Sequence, residues 1–144
     1  MRSLSSVLLL MAFASGCQTI DDMKTNHSDP PVISGAAAGV IAGDMASRLA
    51  EIVSTKSTPS IRMRRDDTEY AIALEAALRG WGYKLVADDR DPSMKPLDLS
   101  YSLYSFEDQV LARLTTPTIS LGRTYRVTVG GASSTSPLSI LHPD

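Results

Sequence analysis

Residues 33–51 read ISGAAAGVIAGDMASRLAE, and the way this stretch folds decides what kind of molecule the chain makes. Three glycines stand four apart, at Gly35, Gly39 and Gly43. That spacing suits a membrane-spanning zipper, a phosphate-binding loop or a helix in water with a close neighbour. A phosphate loop needs a lysine and a hydroxyl residue after its last glycine. Here Gly43 is followed by Asp44 and Met45, and Asp44 would repel a phosphate. The GxGxxG spacing of a dinucleotide-binding turn is also missing. A bilayer span needs about 20 apolar residues. The uncharged run over 30–43 is shorter and then meets Asp44, Arg48 and Glu51.

A helix in water accounts for the stretch. At about 100° per residue, Ile41, Met45, Leu49 and Ile52 share one face, with Ala38 and Val53 at its margin. Asp44, Ser47 and Glu51 fall on another face. Gly35, Gly39 and Gly43 line the edge between them, continued by Ala46 and Ala50. Each glycine costs about 0.5–1 kcal/mol against alanine inside a helix, so three of them imply a packing reason. The edge is a candidate helix-packing edge, either onto the domain's own sheet or onto another chain. Ser34 is the expected N-cap.

Working outward, PSIRMRR (residues 59–65) alternates, with Ile61 and Met63 on one side and Arg62 and Arg64 on the other. That is a half-buried strand. Asp66, with Glu69 three residues on, reads as the start of a second helix through a capping box. Tyr70, Leu74, Ala77, Leu78 and Trp81 give it an apolar stripe, and Gly80 and Gly82 mark its end. YKLVADD (83–89) is a second strand, and a strand–helix–strand unit implies two parallel strands. The polar segment 89–96 is a loop. LDLSYSLYSF (97–106), QVLARLTT (109–116) and ISLGRTYRVTV (119–129) are further strands, with Glu107 and Asp108 turning the chain between the first two. Gly130, Gly131 and the serine-rich stretch after them read as a loop, and PLSIL (137–141) as a short edge strand. The fold class expected is α+β: a small two-layer domain with two helices on a mixed, mostly antiparallel sheet, in the order α-β-α-β-β-β-β, to which the short edge strand at 137–141 is an addition.

The opening residues belong to export. MRSLSSVLLLMAFASGC places Arg2 before a short apolar run over 7–14, then small residues and Cys17. This is a signal peptide with a small-residue cleavage site. Cys17 directly after Ala-Ser-Gly resembles a lipobox, in which the cysteine is acylated and becomes the new N-terminus. Ala14 replaces the usual leucine there. Gln18, where aspartate would favour inner-membrane retention, points to the outer membrane. The alternative is a plain signal peptide with a fortuitous cysteine. Residues 18–31 are polar and end in two prolines, which reads as a tether. The organisation expected is a signal peptide over 1–16, a lipidated N-terminus and tether over 17–33, and an α+β periplasmic domain over 34–144. Of 144 residues 43% are hydrophobic, enough for one core, and the net charge is -2. No basic run exceeds Arg64-Arg65, so direct nucleic-acid binding is not expected.

Catalytic equipment is sparse. His27 lies in the tether and His142 near the C-terminus, which gives no Ser-His-Asp set. Asp66, Asp67 and Glu69 read as helix capping before metal binding. Asp88, Asp89 and Asp91 lack calcium-loop spacing. Trp81, Tyr83, Tyr101, Tyr104 and Tyr125 could stack on sugars, though core packing is the simpler reading. Arg62, Arg64 and Arg65 form a solvated face, or a contact for an acidic partner or for lipid head groups. No enzyme activity, metal or cofactor is expected.

ISGAAAGVIAGDMASRLAE, EYAIALEAALRGWGY (69–83), QVLARLTTPTISLGRTYRV (109–127) and SPLSI (136–140) together resemble the TrbH proteins of bacterial conjugation. The resemblance covers nearly all of the mature chain and includes no catalytic signature. It implies an outer-membrane lipoprotein of the Trb mating-pair-formation apparatus, a type IV secretion machine that moves plasmid DNA. It further implies work with the TrbG and TrbI core-complex subunits. The role expected from this is a structural scaffold, oligomeric within a ring. Cys17 is the one functional residue that carries over. A generic envelope lipoprotein that binds glycan or lipid is the alternative, and an envelope hydrolase is a more distant one.

Overall fold

The computed structural model describes residues 32–87 and 95–143. The signal peptide, Cys17, His27 and the tether up to residue 31 lie outside the described residues, as do Asp88, Asp89 and Asp91.

The first helix, α1, covers Gly35–Ile52. Ser34 caps it as expected: its backbone is extended, and the Ala37 N–H donates to its Oγ at 3.3 Å. This satisfies one of the donors that a helix start leaves unpaired. Ile41, Met45 and Leu49 are fully buried, and so are the small side chains of Ala37, Ala38, Ala42 and Ala46. Ile52, expected on the same face, is 41% exposed because the helix ends there and the chain turns through Ser54–Thr58.

Strand β1 (Ser60–Met63) buries Ile61 and Met63, as the alternation predicts. The second helix, α2 (Glu69–Gly80), begins later than Asp66. Thr68 is the N-cap, its Oγ1 accepting from the Ala71 N–H at 3.1 Å. Asp66 cannot serve as the cap because its carboxylate is already taken. Oδ1 accepts from the Thr68 N–H at 2.9 Å and from the Thr68 hydroxyl, and Oδ2 accepts from the Tyr101 hydroxyl. The helix ends in a Schellman turn: Gly82 N–H donates to Arg79 C=O at 2.9 Å and Tyr83 N–H to Leu78 C=O at 3.1 Å. Gly82 takes the positive φ, +98°, that this turn requires. Trp81 becomes the C-cap and is half exposed, so it leaves the apolar stripe expected of it.

Strand β2 (Lys84–Val86) pairs with β1 in parallel, as the strand–helix–strand pattern implies. The chain then passes to the other side of β1, where β3 (Leu97–Phe106) also pairs in parallel. From β3 onward the sheet is antiparallel through β4 (Gln109–Thr115) and β5 (Ser120–Thr128). The turn at Glu107 and Asp108 is the expected one, with Glu107 in the left-handed region at φ 55°.

Residues 131–134, read from sequence as loop, form a strand, β6 (Gly131–Ser134), on the free side of β5. Glycine, alanine and serine have little strand preference. The unpaired backbone groups along β5 supply the reason. Strand β7 (Ser139–Leu141) continues the same line further along β5, so the expected terminal edge strand is present. Two extra residues separate the registers of β6 and β7 on β5. The sheet order is β2-β1-β3-β4-β5-β6, with β7 beside β6 on β5.

One buried cluster joins the layers. Leu99 of β3, Val110, Ala112 and Leu114 of β4, and Leu121 and Tyr125 of β5 meet the buried faces of α1 and α2. α1 packs on α2 and also reaches β4, β5 and β6, whereas α2 reaches β2. Each large apolar side chain so buried contributes about 1.5–3 kcal/mol. The result is the two-layer α+β architecture, with a mixed sheet of seven strands.

Candidate functional site

The glycine edge of α1 faces outward. A Cβ built on Gly39 or Gly43 meets nothing within 4 Å, and at Gly35 it would meet the Glu69 carboxylate at 2.9 Å. Gly35, Ala36, Gly39 and Val40 are exposed. Among the described residues, no backbone or side chain closes on Gly39 or Gly43. The small residues that do lie in contact, Ala38, Ala42 and Ala46, share the spacing of four but sit on the inner side.

Asp44 sits next to that edge and fixes the helix to the sheet. Its Oδ2 accepts from Arg123 Nη1 at 2.8 Å and from the Tyr125 hydroxyl at 2.6 Å. Its Oδ1 lies 3.5 Å from Arg48 Nε, and Arg48 Nη1 reaches Glu51 at 2.9 Å. Arg123 in turn donates from Nε to the Ser136 carbonyl at 3.1 Å. The Ser136 hydroxyl accepts from the Thr124 N–H at 2.9 Å. One carboxylate therefore ties α1, β5 and the segment between β6 and β7. Burial pushes the Tyr125 hydroxyl far up in pKa, helped by the hydrogen bond to Asp44 and by its charge. The shift favours the protonated form, which donates to Asp44. Sequence reading placed Asp44 on a polar face and missed the network, because its partners lie 79 and 81 residues away.

A second polar knot joins β3 to the start of α2. Tyr101 donates to Asp66, and its ring tilts against Tyr70 with centroids 5.3 Å apart. Burial and the bond to Asp66 push the Tyr101 hydroxyl up to about 12. For Asp66, burial alone would raise the carboxyl, but hydrogen bonds from Thr68 and Tyr101 outweigh it and the net shift is downward. Tyr70 is almost fully buried, and its hydroxyl has no partner among the described residues. Asp67 and Glu69 are exposed. Among the described residues, no group of three or more His, Cys, Asp or Glu could hold a metal ion.

The aromatic residues do not gather into a platform. Tyr83 and Tyr125 are core residues, Tyr83 donating to the Val53 carbonyl. Tyr101 faces the helices, whereas Tyr104 lies on the opposite sheet face and Trp81 at the end of α2. Arg62 pairs with Asp98 across β1 and β3 at 2.5 Å, and Arg65 comes within 3.9 Å of Glu75. His142 is exposed. No helix among the described residues is long and apolar enough to cross a membrane.

Residues 19–144 match the family described as conjugal transfer protein TrbH. The chain belongs to the TrbH family. A relative described as probable conjugal transfer protein TrbH, from Sinorhizobium fredii (strain NBRC 101917 / NGR234), is 47% identical over 145 residues and covers 98% of each chain. No solved structure matches this chain. The TrbH match takes in the whole folded part, including both faces of α1 and the Asp44 network.

Proposed function

We infer that this protein is an outer-membrane lipoprotein that serves as a structural and assembly component of a conjugative type IV secretion apparatus. The observation that carries this reading is the TrbH match over residues 19–144. An N-terminal sequence that reads as a signal peptide over 1–16, followed directly by Cys17, supports the anchor. Acylated Cys17 fixes the chain to the inner leaflet of the outer membrane. Multiple acyl chains, each adding about 0.8 kcal/mol per buried CH₂, make that anchor stable. The folded body stands in the periplasm and docks on channel core subunits of the TrbG and TrbI kind, in copies arranged within a ring. The open edge at Gly39 and Gly43 lets a partner backbone approach closely. The sheet edges at β2 and at β6 and β7 offer strand addition. The transported DNA need not touch this protein.

Labelled palmitate incorporation is expected to disappear in Cys17→Ser, and labelling that persists refutes the anchor. Deletion of the gene should reduce or abolish plasmid transfer while the envelope stays intact, and unchanged transfer under several mating conditions refutes the scaffold role. Crosslinking from envelope fractions should recover channel subunits with the unmodified protein and lose them with Gly39→Leu. Circular dichroism on that variant separates lost docking from lost folding.

A further inference from the structure

Among the described residues, the two most exposed large apolar side chains are Val32 and Val129, at 101% and 100%. The topology brings them to one end of the molecule. β3 and β5 run toward that end, so the turn at Glu107 and Asp108 and the turn at Val129 and Gly130 share it. Val32 and Ile33 lie there too, and with Val110, Val127, Glu107 and Asp108 they line an open cleft of about 340 Å³. Phe106, 47% exposed, and Tyr104, 53% exposed, stand beside the same hairpin on the outer sheet face.

Single exposed apolar residues need no explanation, but a cluster at one end does. Tight turns select glycine, asparagine, aspartate or serine. A fully exposed valine at residue 129 buries nothing in the folded chain. The chain leaves toward its N-terminus from this same end, at Val32. Only residues 18–31 separate Val32 from Cys17, a reach of at most about 50 Å when fully extended. On the lipid-anchor reading given above, on which this inference rests, a bilayer is therefore always close to this end. Linkage holds it there at an effective concentration of order mM, so a few apolar side chains suffice for contact. The end is not basic: Asp108 is paired with Arg126 at 2.8 Å and Glu107 is exposed. Zwitterionic head groups suit it better than anionic ones.

We propose that the end of the domain formed by Val32, Phe106 and Val129 rests in the head-group region of a phosphatidylethanolamine-rich bilayer, which orients the folded body on its anchor. The opposite end, with Trp81, Ile140 and Leu141, then points into the periplasm.

The test uses the full acylated chain in phosphatidylethanolamine vesicles, with an environment-sensitive fluorophore on Val129→Cys or, as the control of similar apolarity, on Ile140→Cys. Acylation occupies Cys17, so the unvaried chain takes no label. An interfacial group sits about 5–10 Å into the head-group boundary, so quenching by shallow spin-labelled lipid should be about twofold stronger at residue 129 than at residue 140. A further Val32→Asp change in the Val129→Cys chain should reduce that difference, with circular dichroism unchanged. Vesicle flotation keeps the two failures apart. A chain that does not float, or whose Cys17 takes label, overturns the anchor and the contact with it. A chain that floats with residues 129 and 140 quenched equally overturns the contact alone and leaves this end to a protein partner.

Discussion

The two sides of α1 carry small residues at the same spacing and put them to opposite use. Ala38, Ala42 and Ala46 stand four apart and are fully buried, whereas Gly35, Gly39 and Gly43 also stand four apart and face outward. The inner line is small because α2 and the sheet press on it. The outer line is small with nothing among the described residues to require it at Gly39 and Gly43. A spacing of four therefore indicates a smooth helix edge and does not say which side of the helix is covered.

Substitutions can break that contrast. The largest effect is expected on the inner side: Ala42→Leu forces three carbons into filled space and should destabilise by about 1–3 kcal/mol in denaturant unfolding. Asp44→Ala removes the acceptor shared by Arg123 and Tyr125 and leaves both part-buried donors without it. A loss of about 2 kcal/mol is expected, with β5 around Arg123 and Tyr125 losing hydrogen-exchange protection first. Tyr70→Phe removes a buried hydroxyl without a partner among the described residues and should stabilise by about 1 kcal/mol, which calorimetry would register as a higher Tm. On the outer side, Gly39→Ala should stabilise by about 0.5–1 kcal/mol, because the added methyl meets open space and alanine is the better helix former. If the edge serves a partner, the same variant loses plasmid transfer while gaining stability, and that opposition is the sharpest test of the contrast.

The last effect is a pH dependence at the second polar knot, kept small by solvent screening of a group that is only partly buried. Tyr101 has its hydroxyl pushed up from 10.0 to about 12, so the folded state holds this proton more tightly than the unfolded chain does. Its contribution is therefore complete below about pH 10 and is lost as pH rises from 10 through 12. Tyr101→Phe should flatten that part of the stability profile.

Several elements were legible because their signals are local. Ser34 as cap, the buried line Ile41–Met45–Leu49, the alternation of Ile61 and Met63, and the turn at Glu107 and Asp108 each depend on residues within a few positions. The errors arose where distant partners intervened. Asp66 has good capping chemistry, but Tyr101 comes from 35 residues away to take its carboxylate, and Thr68 caps instead. Residues 131–134 have poor strand propensity and pair because β5 has a free edge. Trp81 fits the helical stripe by spacing, yet the Schellman turn at Gly82 ends the helix and leaves it half in water. The aromatic set offered as a platform is divided between the core, the outer sheet face and a helix end, which spacing along the chain does not reveal.

The sequence alone determined the α+β class, the parallel strand–helix–strand unit, the hairpin order and the likeness to TrbH proteins, because helix and strand periods are written residue by residue. Tertiary structure decided which of two small-residue lines on α1 is covered and which residue caps α2. It decided that a serine-rich stretch becomes a strand, and that Asp44 holds helix, sheet and C-terminal segment together. Those outcomes depend on which groups meet across the sheet, and burial and hydrogen-bond satisfaction are properties of the assembled layers.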